Sequence, residues 1–405
     1  MKQLKTESDL LPTKVSGRAK AAATDRDVND FAVALYGQLR REPGNLFFSP
    51  FSVRTALAMT LAGARGETAS QMRDALGAGS SDEAMHEELA AIVRRLNGTG
   101  GSAYEITVVN SLWAQEGAPL LAEFLDLIRR HYQGGLSPVD FRRDAERARI
   151  TINNWVDEQT KRKIQDLIPP GGLSGLTRLV LVNAVYFKGM WGKAFEKELT
   201  WDSPFQVREK HSVTTPLMHQ MAQVPYMQGP GYQAIDLPYQ GGDLSMLALL
   251  PDLRDGLEEL EERLSPKMLR DCVGGLKAQD VQLGIPRFKL TWGGINVRQQ
   301  LEALGMNNAF DPSWADFSGL NGASPTDAES LYIAAVFHKA FVEVNELGTE
   351  AAAATAVAMP TRSPAPVQRK EPVFHADHPF LFAIRERQSG AILFLGRVTD
   401  PTAEQ

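Results

Sequence analysis

Two near-continuous apolar runs constrain most strongly how this chain can fold. They are TRLVLVNAVYF, which starts at Thr177, and LSMLALLP, which starts at Leu244. Apolar runs of this length predict strands that are covered on both faces. Because such strands need packing partners on both sides of a sheet, the chain is expected to form a large layered domain.

Helix patterns dominate the part of the chain that precedes these strands. In DVNDFAVALYGQL apolar residues recur at helical spacing, and in SPFSVRTALAMTLAGA Ser49 is placed to cap a helix that begins at Pro50. TASQMRDALG is predicted to start with a capping box of Thr68 and Gln71 and to end at Gly77. PLLAEFLDLIRRHY and ARITINNWVDEQTKRKI are further amphipathic helix patterns.

Strand patterns dominate the second half. VQLGIPRFKL and LYIAAVFHKAFVEV are two longer strand candidates, and HPFLFAIRE and AILFLGRV form a predicted hairpin around Ser389. The sequence contains no internal repeat and no linker that would divide it. We predict one α+β domain over residues 25–405, with helices packed around large mixed β-sheets. Residues 1–24 are interpreted as a flexible tail.

The composition is that of an ordinary soluble protein. The 405 residues are 43% hydrophobic and 23% charged, with a net charge of -6, so neither nucleic acid nor a membrane is an expected partner. A monomer is expected. The one cysteine, Cys272, permits no internal disulfide. The first 24 residues lack the apolar segment of a signal peptide. The expected location is therefore cytoplasmic for a complete chain, and extracellular if a signal has been removed.

Common motifs of catalysis and metal binding are absent from the sequence. It contains no GxxxxGK[ST], HExxH, CxxC or EF-hand pattern, and its seven histidines show no ligand spacing. His375 and His378 flank Ala376-Asp377, a segment interpreted as a plain loop rather than a metal site. We therefore expect no enzymatic activity, no cofactor and no metal.

The segment NELGTEAAAATAVAMPTRSPAP, residues 345–366, is the least ordinary part of the sequence. It follows a predicted strand, is rich in alanine, and has no pattern that would bury it locally. If extended, its side chains alternate between two faces. One face would carry Thr349, Ala351, Ala353, Thr355, Val357 and Met359, and the other Glu350, Ala352, Ala354, Ala356 and Ala358. The first face is free of charge, so it could be buried in a sheet, and Gly348 just before it could act as a hinge.

Five segments of the sequence carry a resemblance to one family. They are NLFFSPFSVRTALAMTLAGARGET, NWVDEQTKRKI, LVNAVYFKGMWGKAF, FHKAFVEVNELGTEAAAATAV and DHPFLFAIRERQSGAILFLGRVTDP. In kind and in order they resemble the serpins, from about Asp27 to Pro401. The resemblance is to an inhibitory, prokaryotic-type member of that family.

The resemblance implies that residues 346–373 form a reactive loop. In serpins a protease attacks one bond of this loop, and the cut loop then inserts into the central sheet as a new strand. The matching hinge residues are Glu346, Gly348, Thr349, Glu350, Ala351, Ala352, Ala353 and Ala354. Inhibitory members keep the hinge small and uncharged beyond its start, as here. Leu347 departs from the polar residue that is common at its position.

The same resemblance places the reactive bond between Arg362 and Ser363, counted from Glu346. Because the segment after Ser363 is longer than in most members, Arg369 or Lys370 could instead precede the bond. Each basic residue implies a trypsin-like or a basic-specific subtilisin-like serine protease as partner, held in a covalent complex. Two alternatives remain at this point: a non-inhibitory carrier, chaperone or storage protein, and an inhibitor of cysteine proteases.

Polar residues inside the predicted strands suggest a second site. Asn183 and His338 are lone polar residues in apolar runs, so each needs a hydrogen-bond partner if buried. By resemblance, Ser49, Ser52, Asn183 and His338 lie where the central strands part, and Trp191 lies where the loop enters. One interpretation is that these residues are satisfied polar or aromatic members of the core. The other is that the four polar residues hold the sheet shut.

Overall fold

The structure is a computed structural model that describes residues 21–78, 81–99, 104–132, 135–349 and 371–403. The helices within these ranges are α1 (Ala21–Leu39), α2 (Pro50–Leu61), α3 (Gly66–Leu76), α4 (Asp82–Thr99), α5 (Ala122–His131), α6 (Ala145–Gln159), α7 (Leu257–Arg263), α8 (Pro266–Gly275), α9 (Arg298–Ala303) and α10 (Ser318–Asn321). The strands are β1 (Leu46–Phe48), β2 (Tyr104–Gln115), β3 (Leu136–Val139), β4 (Leu179–Met190), β5 (Thr200–Arg208), β6 (His211–Gly229), β7 (Tyr232–Pro238), β8 (Leu244–Pro251), β9 (Lys277–Pro286), β10 (Phe288–Asn296), β11 (Ile333–Asn345), β12 (Gly348–Thr349), β13 (Val373–His375), β14 (Phe380–Glu386) and β15 (Ile392–Val398).

The strands form two sheets, which we call the central sheet and the second sheet. The central sheet has the order β10-β11-β12-β4-β2-β3. The second sheet has the order β1-β15-β14-β8-β7-β6-β9-β13, with β5 beside β6. Both sheets combine parallel and antiparallel pairs, and helices pack around them. The prediction of an α+β fold with mixed sheets is therefore confirmed.

The two middle strands of the central sheet meet in a parallel pairing that we call the seam. It runs from Ile333 opposite Leu179 to Phe341 opposite Tyr186. Parallel strands need a long crossover connection, and more than a hundred residues separate β4 from β11 in the sequence. The seam is therefore a contact between distant parts of the chain.

Strand β4 is buried on both of its faces. Leu179, Leu181 and Val185 belong to the main core between the sheets and the helices. Val180 and Val182 belong to a second apolar cluster, which also contains residues of α6. This explains the near-continuous apolar run of the sequence, because β4 is buried on both faces from Leu179 to Phe187.

Two helix predictions were wrong in their boundaries. The capping box does not form: α3 begins at Gly66, and Thr68 lies inside it, where its hydroxyl accepts a hydrogen bond from the Asp316 N–H at 3.0 Å. Helix α6 ends at Gln159 rather than running on, because Lys161 has a φ of +50° and so leaves the helix. The predicted end of α3 at Gly77 is confirmed, and Gly77 caps the helix in the left-handed conformation.

Other segments also differ from their predictions. The predicted strand VQLGIPRFKL is two strands, β9 and β10, which are separated by Arg287. Pro286 has no N–H group to donate to a neighbouring strand, so the first strand ends there. Helix α1 begins at Ala21, in a stretch that contains three consecutive alanines. Residues 1–20 lie outside the described ranges. No helix within the described ranges has the length and apolar character needed to cross a membrane.

Candidate functional site

The site begins where β11 ends and the chain turns back on itself. After the turn, β12 pairs antiparallel with β11, so that Asn345 lies opposite Gly348. The same two-residue strand pairs antiparallel with β4, so that Thr349 lies opposite Gly189. Gly348 and Thr349 therefore lie between the two seam strands at one end of the central sheet. We call residues Glu346–Thr349 the hinge segment.

Gly348 is required by the close approach of β12 to β4. Its φ is +151°, and a Cβ atom built on it would lie only 2.0 Å from the carbonyl oxygen of Gly189. A side chain at this position would therefore force the two strands apart. The glycine that sequence reasoning selected for its freedom is also needed for its small size.

Aromatic residues hold the hinge segment in place. The Trp191 indole N–H donates to the Asn345 carbonyl at 3.0 Å, and the Trp191 backbone N–H donates to the Leu347 carbonyl at 2.9 Å. Trp191 is stacked on Tyr239, with ring centres 4.7 Å apart. The Tyr239 hydroxyl lies 2.9 Å from the hydroxyl of Thr349, which is fully buried. Burial raises the pKa of Tyr239, so its hydroxyl stays protonated.

An ion pair between Arg287 and Glu346 anchors the first residue of the hinge segment. The Arg287 guanidinium donates to one oxygen of Glu346 through Nε, at 2.7 Å, and also through a terminal nitrogen. Glu346 is only 2% exposed. Burial acts to raise the pKa of this carboxyl, but the hydrogen bonds and the charge of Arg287 outweigh burial and leave the pKa below its usual value. The carboxyl is therefore ionised at neutral pH.

A second group of buried polar side chains lies further along the seam, and we call it the polar cluster. It consists of Ser49, Ser52, Asn110, Asn183 and His338. His338 lies opposite Asn183, and Asn183 lies opposite Asn110, so three neighbouring strands each contribute one residue to the same row. The serines come from the N-terminal end of α2. Because a strand rises about 3.3 Å per residue, the cluster is roughly 20 Å from Thr349.

Hydrogen bonds connect all members of the polar cluster. His338 Nε2 accepts from the Ser49 backbone N–H at 3.1 Å, so the proton is on Nδ1, which donates to Asn183 Oδ1. The Asn183 amide donates to Ser52 Oγ and to Asn110 Oδ1, and Ser52 Oγ donates to Asn110 Oδ1 at 2.9 Å. Burial lowers the pKa of His338 to about 3. At neutral pH the ring is therefore uncharged.

The structure brings together some of the residues selected from the sequence and leaves others undescribed. The polar cluster contains four of the selected residues, which are Ser49, Ser52, Asn183 and His338. Trp191 contacts the hinge segment. Asn110 was missed, although a lone amide in the run VVNSLW carries the same signal as Asn183. The selected residues that lie outside the described ranges are Glu350, Ala351, Ala352, Ala353, Ala354, Arg362, Ser363, Arg369 and Lys370.

Comparison with known proteins identifies the family. Residues 26–401 match the family profile described as Serpin (serine protease inhibitor). The chain belongs to the serpin family. The resemblance noted in the sequence is thereby confirmed. The central sheet with its hinge segment and seam is accordingly part of the metastable serpin fold.

Individual serpins are similar to this chain over most of their length. The sequence is 40% identical over 376 residues to an uncharacterized serpin-like protein of Thermococcus kodakarensis, covering 92% of this chain and 85% of that protein. It is also 40% identical over 372 residues to the leukocyte elastase inhibitor of Homo sapiens, covering 88% and 93%. Among solved structures, uncleaved ovalbumin has a TM-score of 0.83 at 30% identity, covering 93% of this chain and all of that one. The thermophilic serpin tengpin in its native state has a TM-score of 0.84 at 28% identity, covering 96% of each chain.

Proposed function

We propose that this serpin is a suicide inhibitor of serine endopeptidases that cleave after arginine. The position of Thr349 carries the proposal. It is fully buried between the two seam strands, so the first residue of the predicted inserting face already occupies the central sheet. A loop that only served as a surface connection would need no such residue inside the sheet.

The strand directions of the central sheet favour further insertion. The seam pairs β4 and β11 in parallel, while β12 runs antiparallel to both of them. If β12 were extended by the following residues, two antiparallel pairings would replace one parallel pairing. Because parallel pairing is slightly less stable per residue, and a strand would be gained, both changes favour the sheet with the inserted loop.

Cleavage supplies the event that frees the loop. The hydroxyl oxygen of the protease serine bonds to the Arg362 carbonyl carbon, and the amide bond to Ser363 breaks. The amine of Ser363 leaves with a proton from the protease. The Arg362 carbonyl carbon stays bonded to the protease serine as an ester. About 13 residues then insert over roughly 45 Å and carry the protease along. Deacylation stalls because the active site of the protease is pulled out of shape.

Arg362 defines the proposed class of target. A guanidinium fits a pocket that ends in a carboxylate, as in trypsin, and a basic-specific subtilisin-like protease is the second choice. The human relative is named for leukocyte elastase. Elastases have a small pocket that does not admit arginine. The target of this chain is therefore expected to differ from the one in that name.

Incubation with trypsin tests the proposed function. A band that survives denaturation at the summed mass of the two proteins, with cleavage mapped after Arg362, is the expected result. Arg362→Ala should abolish the band, whereas the matched control Arg369→Ala should keep it. Clean cleavage without the band would oppose inhibition of trypsin, and elastase, a basic-specific subtilisin and papain should then be tried. Failure with all four would favour a non-inhibitory serpin.

A further inference from the structure

Two histidines are aligned across three strands at the edge of the second sheet. His219 of β6 and His375 of β13 both lie opposite Gly284 of β9. Residues directly opposite each other in neighbouring strands point to the same face of a sheet. Both imidazoles therefore lie on one face, on either side of a residue that has no side chain.

The glycine leaves room for the two rings to approach each other. Their centres are 5.3 Å apart, and their planes are inclined by 80°. A Cβ atom on Gly284 would lie 2.8 Å from Cδ2 of His375. Any other residue in this position would therefore displace the His375 ring. Trp201 covers the His219 ring, with centres 3.7 Å apart and planes inclined by 10°.

One of these imidazoles has a buried nitrogen that is not satisfied. His219 Nε2 is buried and has no hydrogen-bond partner among the described residues. This differs from His338 and His378, both of which use both ring nitrogens. A buried imidazole nitrogen without a partner costs free energy unless something else binds it. Burial also lowers the pKa of His219 and of His375, which favours the neutral form that binds metals.

We propose that His219 and His375 together bind a divalent transition-metal cation that prefers imidazole, such as Zn²⁺ or Cu²⁺. With metal–nitrogen bonds of about 2.0–2.1 Å, two imidazoles on one tetrahedral ion have ring centres roughly 5 Å apart. The observed distance is 5.3 Å. Small rotations of the rings would direct one nitrogen from each toward a common point above Gly284.

The remaining coordination positions of the cation would be filled by water. No group of three or more histidine, cysteine or carboxylate residues suited to a metal occurs in the described ranges. The site therefore has two protein ligands and exchanges its cation readily. The face of the sheet that carries the site is partly open to solvent, since Trp201 and Met221 on this face are 51% and 46% exposed.

The position of the site gives the cation a structural effect. Strand β13 has three residues, lies at the edge of the sheet and is the first strand after the reactive loop. A cation bound by His219 and His375 would join β13 to β6 across β9. Since the site exists only in the folded protein, binding would raise the melting temperature. This inference does not depend on the proposed inhibitory function.

Quenching of tryptophan fluorescence by Cu²⁺ tests the inference. Trp201 is stacked on one of the two ligands, so a bound copper ion should quench it in a saturable way. His219→Gln and His375→Gln should each raise the half-saturating copper concentration roughly a hundredfold, because one imidazole no longer increases the effective concentration of the other. Trp201→Phe should remove the quenching signal. The exposed His211 at the start of β6 provides the matched control, His211→Gln, which should behave like the parent.

Thermal unfolding supplies a second measurement. Zn²⁺ should raise the melting temperature of the parent and of His211→Gln, and of neither site variant. The melting temperatures in EDTA show whether every variant is folded. Equal copper quenching in the parent and in folded His219→Gln would overturn the proposal. So would the absence of any Zn²⁺ effect on the parent.

Discussion

The hydroxyl groups of Tyr239 and Thr349 lie 2.9 Å apart in the buried interior. Tyr239 directly follows β7 of the second sheet, and Thr349 is the last residue of β12 in the central sheet. The hydrogen bond therefore links the two sheets at the point where the reactive loop leaves the described structure. It holds Thr349, the last residue of the hinge segment.

Tyr239→Phe should destabilise the protein by about 1 kcal/mol, because it removes one buried hydrogen bond and leaves the Thr349 hydroxyl without this partner. Equilibrium unfolding in urea measures the change. Thr349→Val removes the other partner of the same bond. The double variant should lose less free energy of unfolding than the two single variants lose in sum. Additive losses would show that the two hydroxyls do not interact.

Thr349→Arg should convert the inhibitor into a substrate. The side chain of residue 349 is fully buried, and an arginine there would place an unpaired charge in the sheet. We expect cleavage by trypsin to continue while the covalent complex disappears, as measured by the moles of inhibitor consumed per mole of protease inactivated. Thr349→Ser is the matched control and should inhibit like the parent. Undiminished inhibition by Thr349→Arg would contradict the insertion mechanism.

The neutral His338 should make stability depend on pH. Its pKa is about 3 in the folded protein, against roughly 6.5 when unfolded, so the unfolded chain binds more protons between these values. The contribution of His338 to stability is therefore fully present above about pH 6.5 and is lost as the pH falls toward 3. The expected loss is a few kcal/mol.

Urea unfolding of the parent and of His338→Gln at a series of pH values measures this contribution. His86 has a pKa that burial lowers to about 4, so it adds a dependence of the same sign that both proteins share. The parent should lose more stability than His338→Gln between pH 7 and pH 4. Parallel curves would show that His338 is not the group responsible.

Glu346→Gln should weaken the anchoring of the hinge segment. It removes the charge that faces Arg287 and keeps the size of the side chain, so a loss of about 1–3 kcal/mol is expected at low ionic strength. The Arg287 side chain is 41% exposed, which places the loss near the lower end of this range. Unfolding in urea measures it. The control Glu343→Gln changes a half-buried carboxyl of β11 and should have a smaller effect.

Elements with strong local patterns could be predicted from the sequence. The apolar runs of β4 and β8 and the hairpin of β14 and β15 were confirmed. The lone polar residues Asn183 and His338 were selected because a buried polar group needs a partner. A local pattern is enough to predict a strand when both of its faces are covered. It is also enough to predict a buried polar site when one polar residue interrupts an apolar run.

Contacts that depend on register could not be predicted. Asn110 was missed because nothing in the sequence places β2 beside β4, where Asn110 lies opposite Asn183. Arg287 lies in the short break between two strands, where nothing in the sequence relates it to Glu346. His219 and His375 are separated by most of the second half of the chain, and only the shared pairing with Gly284 brings them together.

The place of β14 and β15 in the second sheet has a consequence for the fate of the cut molecule. Every residue of both strands is buried, and β14 lies between β8 and β15. Cleavage after Arg362 would separate the polypeptide that begins at Ser363, which contains both strands, from the rest of the chain. Because apolar burial rather than the peptide bond holds this polypeptide in place, the product would be a two-chain protein. It would keep the hydrodynamic size of the intact molecule and release its small chain only on denaturation.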